Sequence, residues 1–350
     1  MMFIRNAWYI AAWAHEIGDK PLGRRICNEP VVLFRDKAGK IGALVDKCCH
    51  RGTPLKIGKV VEQGLECGYH GLIFDTSGKC VVIPGQDHIP EKALVRSYPI
   101  VEKDECAWIW MGDPALADPS KIIDYPWHND HKKWPHKHAL YHVEGSATLM
   151  IDNLMDLTHL GYVHGTTIGG NPAAHVEAKM ETIRKENGLR YIRWMLNSVP
   201  PPTYAKAAGF TGRVDRWQDF EFIAPSSIIQ WSGALEVGKG AQESETREGG
   251  FSLRILHSLT PETETTCHYF WSTANGYRQD EPEATEQLYQ EIAAAFREDQ
   301  AVVAEQQTRL SELGDADVVD IVSDAARIHM RRVMDRLLAQ EQGPTQQAAE

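Results

Sequence analysis

Several features are missing from this chain, and each absence removes a class of protein. No apolar run approaches the ~18 residues needed to span a bilayer; the longest near the start is Trp8 to Ala14. The opening MMFIRN has neither an h-region nor a cleavage site, so a cytoplasmic location with no membrane partner is expected. Positive charge is in deficit: the formal net charge is -11, whereas a nucleic-acid partner calls for a basic footprint. Seven cysteines, an odd number, do not make a disulfide framework in a reducing compartment. No G-x-G-x-x-G follows a strand pattern, which removes a dinucleotide site of the chain's own, and no repeat at a solenoid period is found. What is present is a 350-residue chain of 43% apolar composition, long enough for two globular domains.

The most informative stretch is CCHRGTPLKIGKVVEQGLECGYH. It offers a Cys-x-His at Cys48 and His50, sixteen intervening residues, and a Cys-x2-His at Cys67 and His70. Each arm supplies one thiolate and one imidazole. A [2Fe–2S] cluster with thiolates on one iron and histidines on the other is a Rieske centre. Zinc is the competing reading, but zinc fingers group like ligands, Cys with Cys and His with His, so the alternating arms favour the cluster. Gly52, Pro54, Gly68 and Gly71 suit tight loops around it. Cys27, Cys80, Cys106 and Cys267 read as small buried hydrophobes.

Around these arms the pattern is of short strands. VVLFRD, a DKAGK turn and IGALVDK make a hairpin leading into the first arm, and GLIFDTSGKCVVI repeats the scheme after the second. ECAWIWMGDPALADPS closes a first domain at residues 1–120. Residues 121–140 read as a connecting region, with His128, His131, His136 and His138 as solvated linker histidines.

In LMIDNLMDLTHLGYVHG, residues Asn153, Asp156 and His159 follow at i, i+3 and i+6 along one helix face. His159 and His164 could ligate one ion only if the helix ends or loosens between them, which Gly161 and Gly165 permit. Two histidines with a distant carboxylate form the facial triad of non-haem Fe(II) oxygenases. The periodicity of the helix that begins PEATEQLYQ sets Leu288, Ile292, Ala295, Phe296, Val302 and Val303 on its apolar side, with Asp299 among them and Glu298 facing water. A buried carboxylate there calls for a partner or a metal. In FSLRILHSL, His257 interrupts an alternating apolar row, either as a core histidine or as a polar group of a substrate pocket. ARIHMRRVMDRLLAQ reads as a further helix. Residues 121–340 then form the catalytic domain, and residues 341–350 read as a disordered tail.

FIRNAWYIAAW, PLGR, CCHRGTPL, YHGLIFD, WIWMGDPALADP, DNLMDLTHLGYVH and LTPETETTCHYFW together resemble the oxygenase components of Rieske non-haem iron oxygenases. Within that family the chain is similar to the group that includes vanillate O-demethylase, dicamba O-demethylase and toluenesulfonate methyl-monooxygenase. The resemblance implies an α+β fold: an N-terminal β-rich Rieske [2Fe–2S] domain, then a helix-grip catalytic domain of antiparallel sheet and helices. It implies Cys48, His50, Cys67 and His70 as cluster ligands and His159, His164 and Asp299 as ligands of a mononuclear Fe(II). Asp156 is implied to bridge to His70 of a neighbouring subunit in a head-to-tail homotrimer, and Asn153 and His257 to contact substrate. The implied reaction is oxidation or O-demethylation of a small methoxy- or methyl-substituted aromatic acid by O2. Electrons would come from NADH through a separate flavin/iron–sulfur reductase. Alternatives are hydroxylation of another small aromatic, or a Rieske electron carrier without catalysis; the second ligand set argues against the carrier. The chain departs from the family at Cys49, where proline is common. It also carries Gln290 where the dicamba enzyme is similar in position but aromatic, which points away from dicamba as substrate.

Overall fold

A computed structural model of the chain describes residues 3–342. It divides into two compact units. One holds the chain up to Asp124 together with Thr260–Glu264, the other Tyr125–Leu259 together with the chain from Thr265.

The first unit is built from short antiparallel strands, as its alternating sequence with frequent turn residues dictates. Trp8–Trp13 pairs with Cys106–Trp110, which pairs in turn with Ile100–Lys103. Glu29–Arg35 runs between Leu22–Ile26 and Ile41–Val45, in a register that sets Val31 opposite Val45. The third sheet, of Lys59–Val61, Gly64–Glu66, Ile73–Phe74 and Cys80–Val82, carries the second ligand arm between its middle strands. Val32, Phe34, Leu44, Leu55, Leu65 and Phe74 form a core that also takes in Cys48 and Cys67.

The second unit is a seven-stranded antiparallel sheet with helices on one face. Across it run His136–Val143, Cys267–Asn275, Phe251–Pro261, Ser227–Glu236, Val214–Ile223, Gly188–Ser198 and Lys179–Lys185. Six strands thus meander in chain order, while the first joins at the far edge beside the last. Both faces are covered. On one, Trp194, Trp217 and Trp231 stack under the Arg247 guanidinium; on the other, the helices Ala147–Met155, Pro282–Leu313 and Ala325–Gln342 close the main core. Among the described residues no helix is long and apolar enough to cross a membrane.

Several local expectations change. His136 and His138 lie in the edge strand His136–Val143 rather than a linker. His128 is not solvated: it is buried, stacks on His136, meets Tyr125 edge to face, and lies 2.7 Å from Ser272 Oγ. Pro202 opens the helix Pro202–Ala208, because a proline at the first helical position gives up no hydrogen bond. Val302, expected inside, is 47% exposed, while Ala293 takes a place in the core. Of the expected tail, Glu341 and Gln342 belong to the last helix, and residues 343–350 lie outside the described residues.

Candidate metal centres

In the first unit the two ligand arms fold into matching loops. The Cys48 N–H donates to the Thr53 carbonyl and the Gly52 N–H to the Cys48 carbonyl; the Cys67 N–H donates to Leu72 and the Gly71 N–H to Cys67. Gly52 and Gly71 take nearly the same left-handed φ, +75° and +73°, which a residue with a Cβ adopts at a cost. The loops sort their donors by type. Cys48 and Cys67 are buried with their thiols hydrogen-bonded to each other, while the exposed rings of His50 and His70 stand 4.6 Å apart. Burial pushes the Cys48 thiol up to about 11, although the His50 N–H pulls the other way; a coordinated metal supplies the charge that removes such a proton. Sulfur beside sulfur and nitrogen beside nitrogen is the division that a His2Cys2 cluster requires. Cys49 projects outward, exposed.

In the second unit the helix Ala147–Met155 stops at Asp156, whose backbone is extended (φ -128°, ψ 103°). A first break thus falls before His159, and the short helix after it ends at Val163, so the chain also leaves the helix between the two histidines, as expected. Asp156 caps the next turn, its carboxylate accepting from the Thr158 N–H and Oγ1 at 2.8 Å each and from Ser323 Oγ at 3.2 Å. The turn Leu157–His159 and the helix Leu160–Val163 then deliver His159 and His164. Gly161 does not loosen this helix; a Cβ there would stand 2.4 Å from the Pro172 Cα, so the glycine permits a close backbone approach.

The long helix Pro282–Leu313 presents Asp299 to both histidines. Its Oδ1 lies 3.0 Å from His164 Nε2 and 3.4 Å from His159 Nε2. The nearest donor atoms of the three residues fall within 4.8 Å of one another. The opposite ring nitrogens are held. His159 Nδ1 donates to the Asp156 carbonyl oxygen at 2.6 Å, and His164 Nδ1 meets Glu298 Oε2 at 2.6 Å. Those bonds leave both Nε2 atoms pointing at one spot, as metal-ligand histidines require. Burial pushes the Asp299 carboxyl up, but the bonds to His159 and His164 outweigh it and hold it at about 2. Burial likewise works against a charge on His164, yet Asp299 and Glu298 together raise it. Two imidazoles and a carboxylate with open positions fit a divalent iron.

Above this point is a tight pocket of about 30 Å³, room for a water or two rather than the ~300–1,000 Å³ of an open small-molecule site. Leu157, Phe220, Ile255, Ile292 and Phe296 supply apolar walls. Asn153 Nδ2 donates to Asp299 Oδ1 at 3.1 Å, so it braces a metal-site residue while its own oxygen is buried without a partner. His257 lies in the wall, bonded to Tyr269 Oη at 2.7 Å and Gln230 Oε1 at 2.8 Å. Burial holds its ring down at about 3, so it is neutral, and since Gln230 Oε1 can only accept, Nε2 carries the proton. Gln290 stands on the exposed side of its helix, bonded to Glu286, and is no part of the pocket.

Sequence reasoning missed three residues. Glu298 is expected to face water, yet its carboxylate turns back onto His164. Gln230 gave no periodic signal. Arg216 is buried one alternation from Gln218 on its strand, stacked over Tyr204, and donates to the Ile168 and Gly169 carbonyls of the turn after His164. A cation in the inward row of a strand is the same signal that picked out His257, and it was there to be read in VDRWQDF.

The paired loops and the two-histidine, one-carboxylate point define an iron-dependent oxygenase with a cluster of its own. The Rieske [2Fe-2S] domain family matches residues 7–99, and the vanillate O-demethylase oxygenase C-terminal domain family residues 143–340. The toluene-4-sulfonate monooxygenase system iron-sulfur subunit of Comamonas testosteroni is 41% identical over 98% of this chain and 99% of its own. A vanillate O-demethylase oxygenase subunit from Pseudomonas sp. is 38% identical, covering 97% and 96%. The crystal structure of dicamba monooxygenase bound to 3,6-dichlorosalicylic acid matches with a TM-score of 0.92 at 34% identity, over 98% of this chain and 100% of the other. This chain belongs to the Rieske non-haem iron oxygenases, as the terminal oxygenase component of a monooxygenase, with a C-terminal domain of the vanillate O-demethylase kind.

Proposed function

We propose that the chain oxidises or O-demethylates a small methoxy- or methyl-substituted aromatic acid. The observation that carries this reading is the meeting of His159, His164 and Asp299 beneath an enclosed, mainly apolar pocket with few polar groups. Cys48, His50, Cys67 and His70 would hold the [2Fe–2S] cluster, and His159, His164 and Asp299 a mononuclear Fe(II). Iron bound there would activate O2 for insertion into a C–H bond, which at a methoxy carbon ends in formaldehyde and a phenol.

The chain's own residues do the rest. Leu157, Phe220 and Phe296 line the pocket and would part to take a single aromatic ring and exclude water. His257, neutral and with its proton on Nε2, offers a donor to an anionic or phenolic substituent that replaces Gln230 as acceptor. Asn153 steadies the Asp299 carboxylate and contacts the substrate with its unpartnered oxygen. Asp156, fixed by Thr158 and Ser323, would bridge to His70 of a neighbouring copy in a head-to-tail homotrimer. Electrons would arrive from NADH by way of a flavin/iron–sulfur reductase, in the cytoplasm. Relatives named for toluenesulfonate, vanillate and dicamba support a substrate with an aromatic ring and an acid group.

The test is a panel of methoxy- and methyl-substituted benzoates and benzenesulfonates, with O2 uptake and formaldehyde followed together and a reductase supplying electrons. Uptake matched by formaldehyde identifies O-demethylation, and uptake without it identifies methyl or ring hydroxylation. No substrate-dependent uptake across the panel, with both metal sites filled, overturns the proposal.

A further inference from the structure

The two histidines of the mononuclear site are supported differently. His159 Nδ1 rests on a neutral acceptor, the backbone carbonyl of Asp156. His164 Nδ1 rests on a carboxylate, that of Glu298, at the same 2.6 Å. Glu298 and Asp299 are successive residues on one helix, about 100° apart around it, and they straddle the His164 ring. Asp299 faces its Nε2 edge and Glu298 its Nδ1 edge. His164 is buried, whereas the Glu298 side chain is 38% exposed. The glutamate therefore fills no place in the core and leaves no cavity when shortened.

We propose that Glu298 is a positioning residue for the mononuclear metal, acting through His164. This rests on the reading of His159, His164 and Asp299 as the ligands. Its carboxylate keeps the His164 proton on Nδ1, which leaves the Nε2 lone pair for the metal, and it makes that imidazole the stronger donor of the two. It also balances charge: one divalent ion, Asp299 and Glu298 sum to zero, so the filled site enters the pocket electrically neutral.

The experiment uses the full chain with its cluster in place. Fe(II) is titrated without oxygen against a competing chelator into native protein, Glu298→Gln, Glu298→Ala and His159→Ala. Glu298→Gln keeps the shape and an acceptor oxygen but removes the charge. Both Glu298 variants should bind Fe(II) more weakly by about 10- to 100-fold, alanine more so than glutamine, with the melting temperature of the mononuclear-iron-free protein unchanged. With only the mononuclear site enriched in the Mössbauer isotope, the ferrous quadrupole splitting should change in Glu298→Gln. Equal Fe(II) affinity and an equal splitting overturn the proposal. So does a lowered melting temperature with affinity intact, which would make Glu298 a structural partner only. Native protein and His159→Ala binding Fe(II) equally well would instead overturn the ligand reading itself, and the role of Glu298 with it.

Discussion

His257 shows how much one buried ring alters behaviour. An imidazole in water titrates near 6.5, but burial holds His257 at about 3 and His175 at about 4, the latter also against Arg216. The unfolded chain binds more protons than the folded one between those values, so stability falls as the pH falls. Each contribution is fully present above 6.5 and is lost as the pH drops towards the folded value, at up to about 1.4 kcal/mol per pH unit. Urea unfolding of His257→Asn between pH 6.5 and 5 should show a shallower pH slope than the native protein by up to that amount. An unchanged slope would mean that the ring already charges in the folded state. If His257 also meets the substrate, the same variant should bind it more weakly with both metal sites filled. At this scale the sequence signalled a polar residue in an apolar row, but it could not show that Tyr269 and Gln230 occupy both ring nitrogens. Those partners come from two other strands.

Among the elements, the segment from Ala147 to His164 matters most. A single helix would have set His164 about 140° around its axis from His159. The extended backbone at Asp156 resets the direction, so the turn and the short helix after it deliver the two histidines to Asp299. Its packing depends on Gly161 lying against Pro172. Gly161→Ala forces a Cβ into backbone that has no side chain to yield, at a cost of ~1–3 kcal/mol. The expected outcome is a lower melting temperature for the second unit and loss of mononuclear iron, with the cluster's visible spectrum intact; retained iron would place the strain away from the site. The reading of Gly161 as a helix loosener failed because periodicity registers chain-local preference, not what lies across a packing interface. Val302, expected inside, is exposed for the same reason: the helix is covered unevenly along its length.

For the whole molecule, Asp156 carries the sharpest expectation. Its intramolecular partners are a helix cap and one serine, and asparagine caps helices as well as aspartate does. Asp156→Asn should therefore fold, keep its metals and assemble as native. If Asp156 bridges to His70 of a neighbouring copy, losing its charge should cut turnover by orders of magnitude. Single-turnover measurement of cluster oxidation, with substrate and oxygen present, checks this; a native rate would leave Asp156 as a cap only.

By itself the sequence determined what short-range chemistry can determine. Cys-x-His and Cys-x2-His arms between strand patterns name a cluster-bearing loop pair, since ligand spacing and turn glycines are local. A 3.6-residue stripe placed Asp299 on the buried side of its helix, since burial follows period. Tertiary structure alone decided which nitrogen of each histidine is free, that Glu298 turns towards His164 instead of water, that His128 is buried, and that Gln290 lies outside the pocket. Each of these depends on an atom from a distant element, and no local pattern of residues encodes where such an atom will come to rest.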